Sequence, residues 1–172
     1  MDIRTFDNFL SGDEMKILEG YFTGNIWEWG HTSKSVTEGS IQRAWFSTSF
    51  DDKPYFTEYL KEKIENFIGI KCHLLRVYAN GQILNTSGSW HTDSDYNDYI
   101  TALLYVSNIT PYNVGEICGY TNFKSSDGNI ISIEPLKNRL VVFDSQILHQ
   151  GCAPEVPGFL RISVAWKLKK EI

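Results

Sequence analysis

The sequence predicts a mainly β domain with two helices packed on the outside of a β-sandwich or barrel. Two observations carry this reading. Apolar residues recur at helical spacing only within the first 69 residues, and after Gly69 the spacing shortens to about two. Aromatic side chains are abundant, with 10 Phe, 9 Tyr and 5 Trp in 172 residues, and rings of that size suit the interior of a β-rich domain. A chain of this length is expected to build one core. We therefore read 1–172 as a single domain, with helical support and entrance loops in 1–69 and a β core in 70–170.

The elements follow in order. Ser11 and Glu14 have capping-box spacing, with Leu10 and Met15 at the two staple positions around them. Met15, Leu18 and Phe22 then share a helical face, and Gly24 can end the helix. From Asn25 to Phe50 periodicity is weak, and Trp27, Trp29, Trp45 and Phe46 are scattered among Gly, Ser and Thr, as in loops or short strands. Pro54 suits a first helical turn, and Phe56, Tyr59, Leu60, Ile64 and Phe67 recur at helical spacing until Gly69. A helix with such a face needs a sheet to cover. Candidate strands lie at 71–79, 99–107, 116–122, 129–134, 139–144 and 159–168, with Asp127-Gly128 as a tight-hairpin signal.

Composition narrows the function. Hydrophobic residues at 42% and charged residues at 22% belong to an ordinary folded protein rather than a disordered or fibrous one. Sixteen Lys and Arg against 21 Asp and Glu leave a net charge of −5, which argues against a protein that neutralises phosphates, so no nucleic-acid partner is expected. Asp93, Asp95 and Asp98 add local negative charge near the residues singled out below. Cys72, Cys118 and Cys152 are widely spaced, odd in number and without a C-x-x-C, which fits a reducing compartment. No run approaches the ~18 apolar residues of a membrane span, and the N-terminus has no apolar leader. The expectation is a cytoplasmic protein with no membrane partner.

Histidine is scarce, with only His31, His73, His91 and His149. In Trp90-His91-Thr92-Asp93 the imidazole and the carboxylate stand two apart, so an extended backbone projects both the same way. His149, just past the strand Arg139–Asp144, can supply a third ligand. Two imidazoles and a carboxylate form a facial triad suited to non-heme Fe(II), although the same donors also suit zinc, and H-x-D alone arises often by chance. Arg161 adds a second observation. On the strand 159–168, Leu160, Ile162, Val164, Trp166 and Leu168 form one apolar face, and Phe159, Arg161, Ser163 and Ala165 form the other. If both faces are covered, Arg161 is a buried guanidinium that requires an anion, either an internal acid or a ligand carboxylate; the alternative is a surface arginine on an edge strand.

Taken together, Trp90-His91-x-Asp93, then 55 residues to His149, then 11 to Arg161-x-Ser163, resembles the 2-oxoglutarate- and Fe(II)-dependent dioxygenases, most closely the prolyl 4-hydroxylase-like branch. Arg76-Val77-Tyr78-Ala79-Asn80-Gly81 is similar to that family's R-x-Y-x-x-G strand, and Thr101–Val106 to the apolar strand after its H-x-D. Gly115-Glu116 resembles its Gly-Gly-Glu turn, and Pro135 with Arg139–Ser145 its P-x-x-G-R-L-V-x-F-D-S segment, with Asn138 where Gly is usual. Asp7–Ser11 is similar to its entry into the first helix. The resemblance spans nearly the whole chain in order.

It implies a double-stranded β-helix, or jelly roll, of eight strands in two facing sheets. It implies that His91, Asp93 and His149 hold iron and that Arg161 pairs with the distal carboxylate of 2-oxoglutarate, with Ser163 and Tyr78 as further cosubstrate contacts. Tyr105 reads better as core, and Glu116 and Asp144 as structural. The implied reaction hydroxylates a C–H bond of an amino acid or peptidyl proline with dioxygen, coupled to decarboxylation of 2-oxoglutarate to succinate, with ascorbate a candidate reductant. The competing readings are an oxidative demethylase of alkylated nucleic acid, disfavoured because Lys167 stands where those proteins carry a second arginine, a non-catalytic jelly-roll binding module, and a zinc enzyme. The loops Gly30–Ser47 and Gln82–Ser89 are candidate entrances.

Overall fold

The computed structural model describes residues 3–33 and 42–171, so part of the expected Gly30–Ser47 entrance loop lies outside the described residues. The order is β1 (Ile3–Phe6), α1 (Gly12–Gly20), β2 (Glu28–His31), β3 (Trp45–Ser49), a π-helical turn (Tyr55–Leu60) running into α2 (Lys61–Ile68), and β4 (Cys72–Gln82). Then come β5 (Tyr99–Tyr105), a single turn α3 (Val114–Ile117), β6 (Thr121–Lys124), β7 (Ile130–Ile133), β8 (Leu140–Asp144), β9 (His149–Gly151) and β10 (Arg161–Lys170). They form a seven-stranded sheet in the order β1-β8-β5-β10-β4-β3-β2 and a three-stranded sheet β7-β6-β9, with every pair antiparallel.

The organising strand is β10, which lies between β5 and β4 over its length. Its period-two alternation separates two environments. Val164, Trp166 and Leu168 are buried with Met15 and Leu18 of α1 and with Phe56, Leu60 and Ile64 of the second helix. Trp166 donates its indole N–H to the Phe56 carbonyl at 2.9 Å, which satisfies the one polar group on this apolar face. On the other face Ala165 joins Leu103, Tyr105, Val141 and Phe143 against Phe123 of the small sheet. The two sheets therefore face each other, and the helices close the back of the larger one.

Local signals explain the helix ends. The capping box forms as expected, with Ser11 Oγ accepting from the Glu14 N–H and Glu14 Oε2 accepting from the Ser11 N–H at 2.6 Å. Leu10 and Met15 are both buried beneath it. The helix ends at Gly20 rather than at Gly24, which lies beyond it at a φ of +87°. The second helix begins at Pro54 and ends at Gly69, whose φ of +73° forms a left-handed cap.

Several expectations change. Tyr59 and Phe67 belong to the expected apolar face of the second helix, yet both are largely exposed. Leu60 and Ile64 keep that face, whereas the wide turn of the π-helix carries Tyr59 off it toward Glu14, and Phe67 rests edge-on against Phe6 and Phe9 at its rim. The expected strand 116–122 begins as the turn α3 and becomes extended only at Thr121. The Asp127-Gly128 hairpin is present, but with a five-residue loop, closed by the Ser125 N–H on the Asn129 carbonyl. The larger sheet also takes β1, β2 and β3 from the first 69 residues. Asn138, in the place where the resemblance has Gly, sits at a φ of +64°, and its amide binds both the N–H and the carbonyl of Leu10. Asn tolerates that conformation well, and its side chain ties the start of α1 to β8.

Glu14 gathers Ser11, Tyr59 and Lys63 at 2.6–2.7 Å, joining α1 to the second helix. Burial opposes its ionisation, but Lys63, Tyr59 and Ser11 outweigh that and hold its pKa down to about 2. Because the folded pKa is depressed, this stabilisation is present above the ordinary carboxyl range and is lost as pH falls through about 2. Glu14→Gln should lower stability at pH 7 by on the order of 2 kcal/mol in denaturant titrations, and the two proteins should converge as pH falls from about 4.5.

Candidate active site

Between the sheets lies a cavity of about 330 Å³. Its floor is the inward face of three neighbouring strands. On β10 Arg161, Ser163, Ala165 and Lys167 stand opposite Gln82, Asn80, Tyr78 and Arg76 of β4. On the other side Ser163, Ala165 and Lys167 stand opposite Tyr105, Leu103 and Thr101 of β5.

At one end His91, Asp93 and His149 converge, with one ligand atom from each within 4.8 Å of the others. The backbone makes this meeting. His91 and His149 exchange both of their main-chain hydrogen bonds at 2.9 Å, and the Asp93 N–H donates to the Ser145 carbonyl at 2.8 Å. Nδ1 of His91 lies 2.8 Å from the Ser89 carbonyl, and Nδ1 of His149 lies 2.8 Å from the Ile147 carbonyl. A carbonyl only accepts, so each Nδ1 carries the proton and each Nε2 keeps its lone pair. Both Nε2 atoms face Asp93, at 3.6 Å from Oδ1 and 3.5 Å from Oδ2.

The protonation states suit metal ligation. Burial lowers the pKa of His91, and it lowers that of His149 to about 4, with Asp93 opposing in both cases. Asp93 is also buried, which on its own would raise its pKa, but Lys167 and the Thr101 hydroxyl hold it well below the carboxylate range. Thr101 donates to Asp93 Oδ2 at 2.6 Å, and Lys167 Nζ donates to the same oxygen. Phe143 and Phe123 pack on the His149 ring at 4.8 and 5.9 Å and keep that side dry.

At the other end Arg161 is only 2% exposed. Its Nε donates to the Gly119 carbonyl at 2.6 Å, one terminal nitrogen to Gln82 at 2.8 Å and Ser163 at 3.4 Å, and the other to Thr121 at 3.0 Å. The Tyr105 ring lies 5.3 Å away, with its hydroxyl on Thr121. Every one of these partners is neutral, and among the described residues no carboxylate pairs with Arg161. Neither an internal ion pair nor a surface position on an edge strand, the other accounts of this arginine open at the level of sequence, therefore describes it.

The structure brings His91, Asp93, His149, Arg161, Ser163 and Tyr78 to one cavity. Tyr105 is core, Asp144 pairs with Lys170 at 3.1 Å on the outside, and Glu116 is exposed on α3. The three aspartates do not form one acidic rim: Asp93 turns inward to Lys167, Asp98 lies 3.8 Å from Lys169, and Asp95 is exposed. Gln82, Thr101 and Thr121 are polar partners that sequence reasoning missed, because their roles depend on cross-strand register. Lys167 had a signal, since the alternation that turns Arg161, Ser163 and Ala165 inward continues to it.

The sequence matches no protein-family model and no curated protein. Solved structures do match. A prolyl hydroxylase from Trichoplax adhaerens, in complex with a hypoxia-inducible-factor oxygen degradation domain peptide, aligns at a TM-score of 0.73 and 15% identity, over 97% of this chain and 83% of its own. A Pseudomonas putida prolyl-4-hydroxylase aligns at 0.66 and 18% identity, over 98% and 92%. An oxidoreductase of the 2OG-Fe(II) oxygenase family from Burkholderia pseudomallei aligns at 0.75 and 8% identity, over 97% and 84%. At these identities the likeness establishes the fold, and the chain has the jelly roll that the resemblance implied.

Gly119 is built into the arginine's setting. Its φ is +78°, and a Cβ there would come within 3.0 Å of Arg161 Cδ. Gly128 has a similar φ of +86° with nothing near a Cβ. Both Gly→Ala variants should lose about 1–2 kcal/mol for the left-handed backbone. Gly119→Ala should lose measurably more in parallel denaturant titrations, the difference reporting the crowding of Arg161.

Proposed function

We propose that this protein is a 2-oxoglutarate- and Fe(II)-dependent hydroxylase of the prolyl 4-hydroxylase-like kind, acting on a C–H bond of an amino acid or peptidyl proline. The observation that carries this reading is Arg161, a buried guanidinium held in place by neutral acceptors and lacking a counter-anion. A buried cation of this kind is unfavourable by several kcal/mol without an anion, and its planar fork matches a carboxylate. A metal site alone, or a binding module without turnover, gives no reason for such a residue beside the His91–Asp93–His149 group.

In this reading His91 Nε2, His149 Nε2 and an Asp93 oxygen hold the metal, and their proton states fit it without rearrangement: both imidazoles neutral, the carboxylate ionised. Arg161 and Ser163 receive the distal carboxylate of 2-oxoglutarate, and Tyr78 lines its course toward the metal. Iron and 2-oxoglutarate together supply the activation of dioxygen, one atom of which ends in succinate and the other in a hydroxyl on the substrate. The chain's own work is positioning. Thr101 and Lys167 fix the Asp93 carboxylate, the Ser89 and Ile147 carbonyls fix the imidazole rings, and Gln82, Gly119 and Thr121 aim the guanidinium.

The same reading takes dioxygen and a peptide or small-molecule substrate as partners, with ascorbate as reductant, and excludes nucleic acid. No helix among the described residues is long and apolar enough to cross a membrane. Cys72, Cys118 and Cys152 are all free thiols, which supports a reducing cytoplasmic setting.

Anaerobic titration should show one Fe(II) per chain, with His91→Ala, Asp93→Ala and His149→Ala each weakening it severely; unchanged binding in all three would remove the metal assignment. Affinity should fall with pH as the imidazoles protonate. In metal-loaded protein, Arg161→Lys and Arg161→Ala should both weaken 2-oxoglutarate binding, with Ala worse than Lys by on the order of 1–3 kcal/mol. Equal 2-oxoglutarate affinity in wild type and Arg161→Ala would assign this arginine to structure.

A further inference from the structure

The cavity contains a cation that the proposed reaction leaves unused. Arg76 stands on β4 opposite Lys167, on the same inward face as Tyr78. Six residues of β10 separate Lys167 from Arg161, about 20 Å of extended strand. Arg76 therefore marks the end of the cavity away from Arg161, where Lys167 meets Asp93. Its guanidinium lies 4.7 Å over the Tyr78 ring and is exposed at the mouth. Among the described residues it has neither a hydrogen bond nor an ion pair.

Charge around the cavity points the same way. Its lining holds three cations, Arg76, Arg161 and Lys167, against the single carboxylate of Asp93, an excess of two. A divalent metal and a dianionic cosubstrate cancel each other and leave that excess in place. This concentration of positive charge occurs in a protein whose net charge is −5. Lys167 is engaged by Asp93 and Arg161 is assigned to 2-oxoglutarate, so among the described residues the cation left without an anion is Arg76. Beside it the His31 ring lies 5.4 Å from Tyr78 and 5.3 Å from Trp45, and burial, then Arg76 and Lys167, keep that imidazole neutral. The mouth thus offers a guanidinium with no anionic partner among the described residues, a ring nitrogen able to hydrogen-bond, and two flat aromatic walls.

We propose that this end of the cavity is a subsite for the free carboxylate of the primary substrate, held by Arg76 over Tyr78 with His31 beside it. The substrate is then a free amino acid or the C-terminal residue of a peptide rather than an internal stretch of chain. The proposal rests on reading the Arg161 end as the place of 2-oxoglutarate. It makes Arg76 a specificity-determining residue, because its planar fork pairs with a carboxylate and gains no such charge-assisted pair with the uncharged analogue.

The test uses protein loaded with Mn(II) and 2-oxoglutarate, without oxygen, titrated with L-proline, L-prolinamide, the dipeptide Ala-Pro, its C-terminal amide, and inorganic phosphate. Affinity is read by calorimetry, and the Arg76 side-chain Nε–H resonance, assigned by its loss in Arg76→Gln, is read by NMR. At least one of the two acids should shift that resonance and bind about tenfold or more tighter than its amide. Arg76→Gln should erase the acid-over-amide preference, Arg76→Lys should keep part of it, and 2-oxoglutarate affinity should stay within about twofold in both. The free amino acid and the dipeptide tell a metabolite from a peptide terminus. The proposal is overturned if neither acid exceeds its amide, if the preference survives Arg76→Gln, or if phosphate binds as tightly as the acids. Failure of wild type to bind 2-oxoglutarate through Arg161 would instead overturn the proposed function, and the acid–amide comparison on the Mn(II) protein alone still decides the role of Arg76.

Discussion

A full positive charge stands inside the molecule at Arg161, and the arrangement of both sheets answers to it. A guanidinium buried to 2% exposure is tolerable only if its donors are met, and they are met by groups from separate parts of the chain: the Gly119 carbonyl before β6, Gln82 at the end of β4, Thr121 on β6 and Ser163 on β10 itself. These neutral acceptors hold the charge without cancelling it. The result is a preorganised positive centre at one end of a cavity, which makes the interior receptive to an anion from outside.

The opposite end has the complementary construction. Asp93 is an ionised carboxylate in a buried place, its charge is sustained by Lys167 and Thr101, and two neutral imidazoles turn their free Nε2 atoms toward it. Because Lys167 and Arg161 share one strand, β10 holds both the cation that steadies the Asp93 carboxylate and the cation at the far end. A single register of β10 against β4 and β5 therefore sets the distance between the two ends of the cavity. A one-residue slip would turn all of these side chains into the apolar layer beneath the helices.

That apolar layer is what prevents the slip. Val164, Trp166 and Leu168 alternate with the cavity residues and are buried against both helices, and the Trp166 indole is hydrogen-bonded to the Phe56 carbonyl. Glu14 fastens the two helices to each other through Lys63 and Tyr59. Polar precision on one face of β10 thus depends on hydrophobic packing on the other.

Much of this was legible in the residues themselves. Helix starts and stops at Ser11, Pro54 and Gly69 are local matters of capping and backbone freedom, and they can be read without knowing the fold. The H-x-D spacing of His91 and Asp93 and the alternation along 159–168 are equally local, since a strand sends every second side chain the same way. What sequence could not supply was anything that depends on two distant segments meeting. The π-turn that exposes Tyr59, the joining of β1 to β8, and Gln82 and Thr121 as partners of Arg161 come from tertiary packing and cross-strand register. So does the pairing of Asp93 with Lys167, 74 residues away. Periodicity along one strand assigns a side chain to a face, but which partners share that face is decided only when the strands are laid side by side.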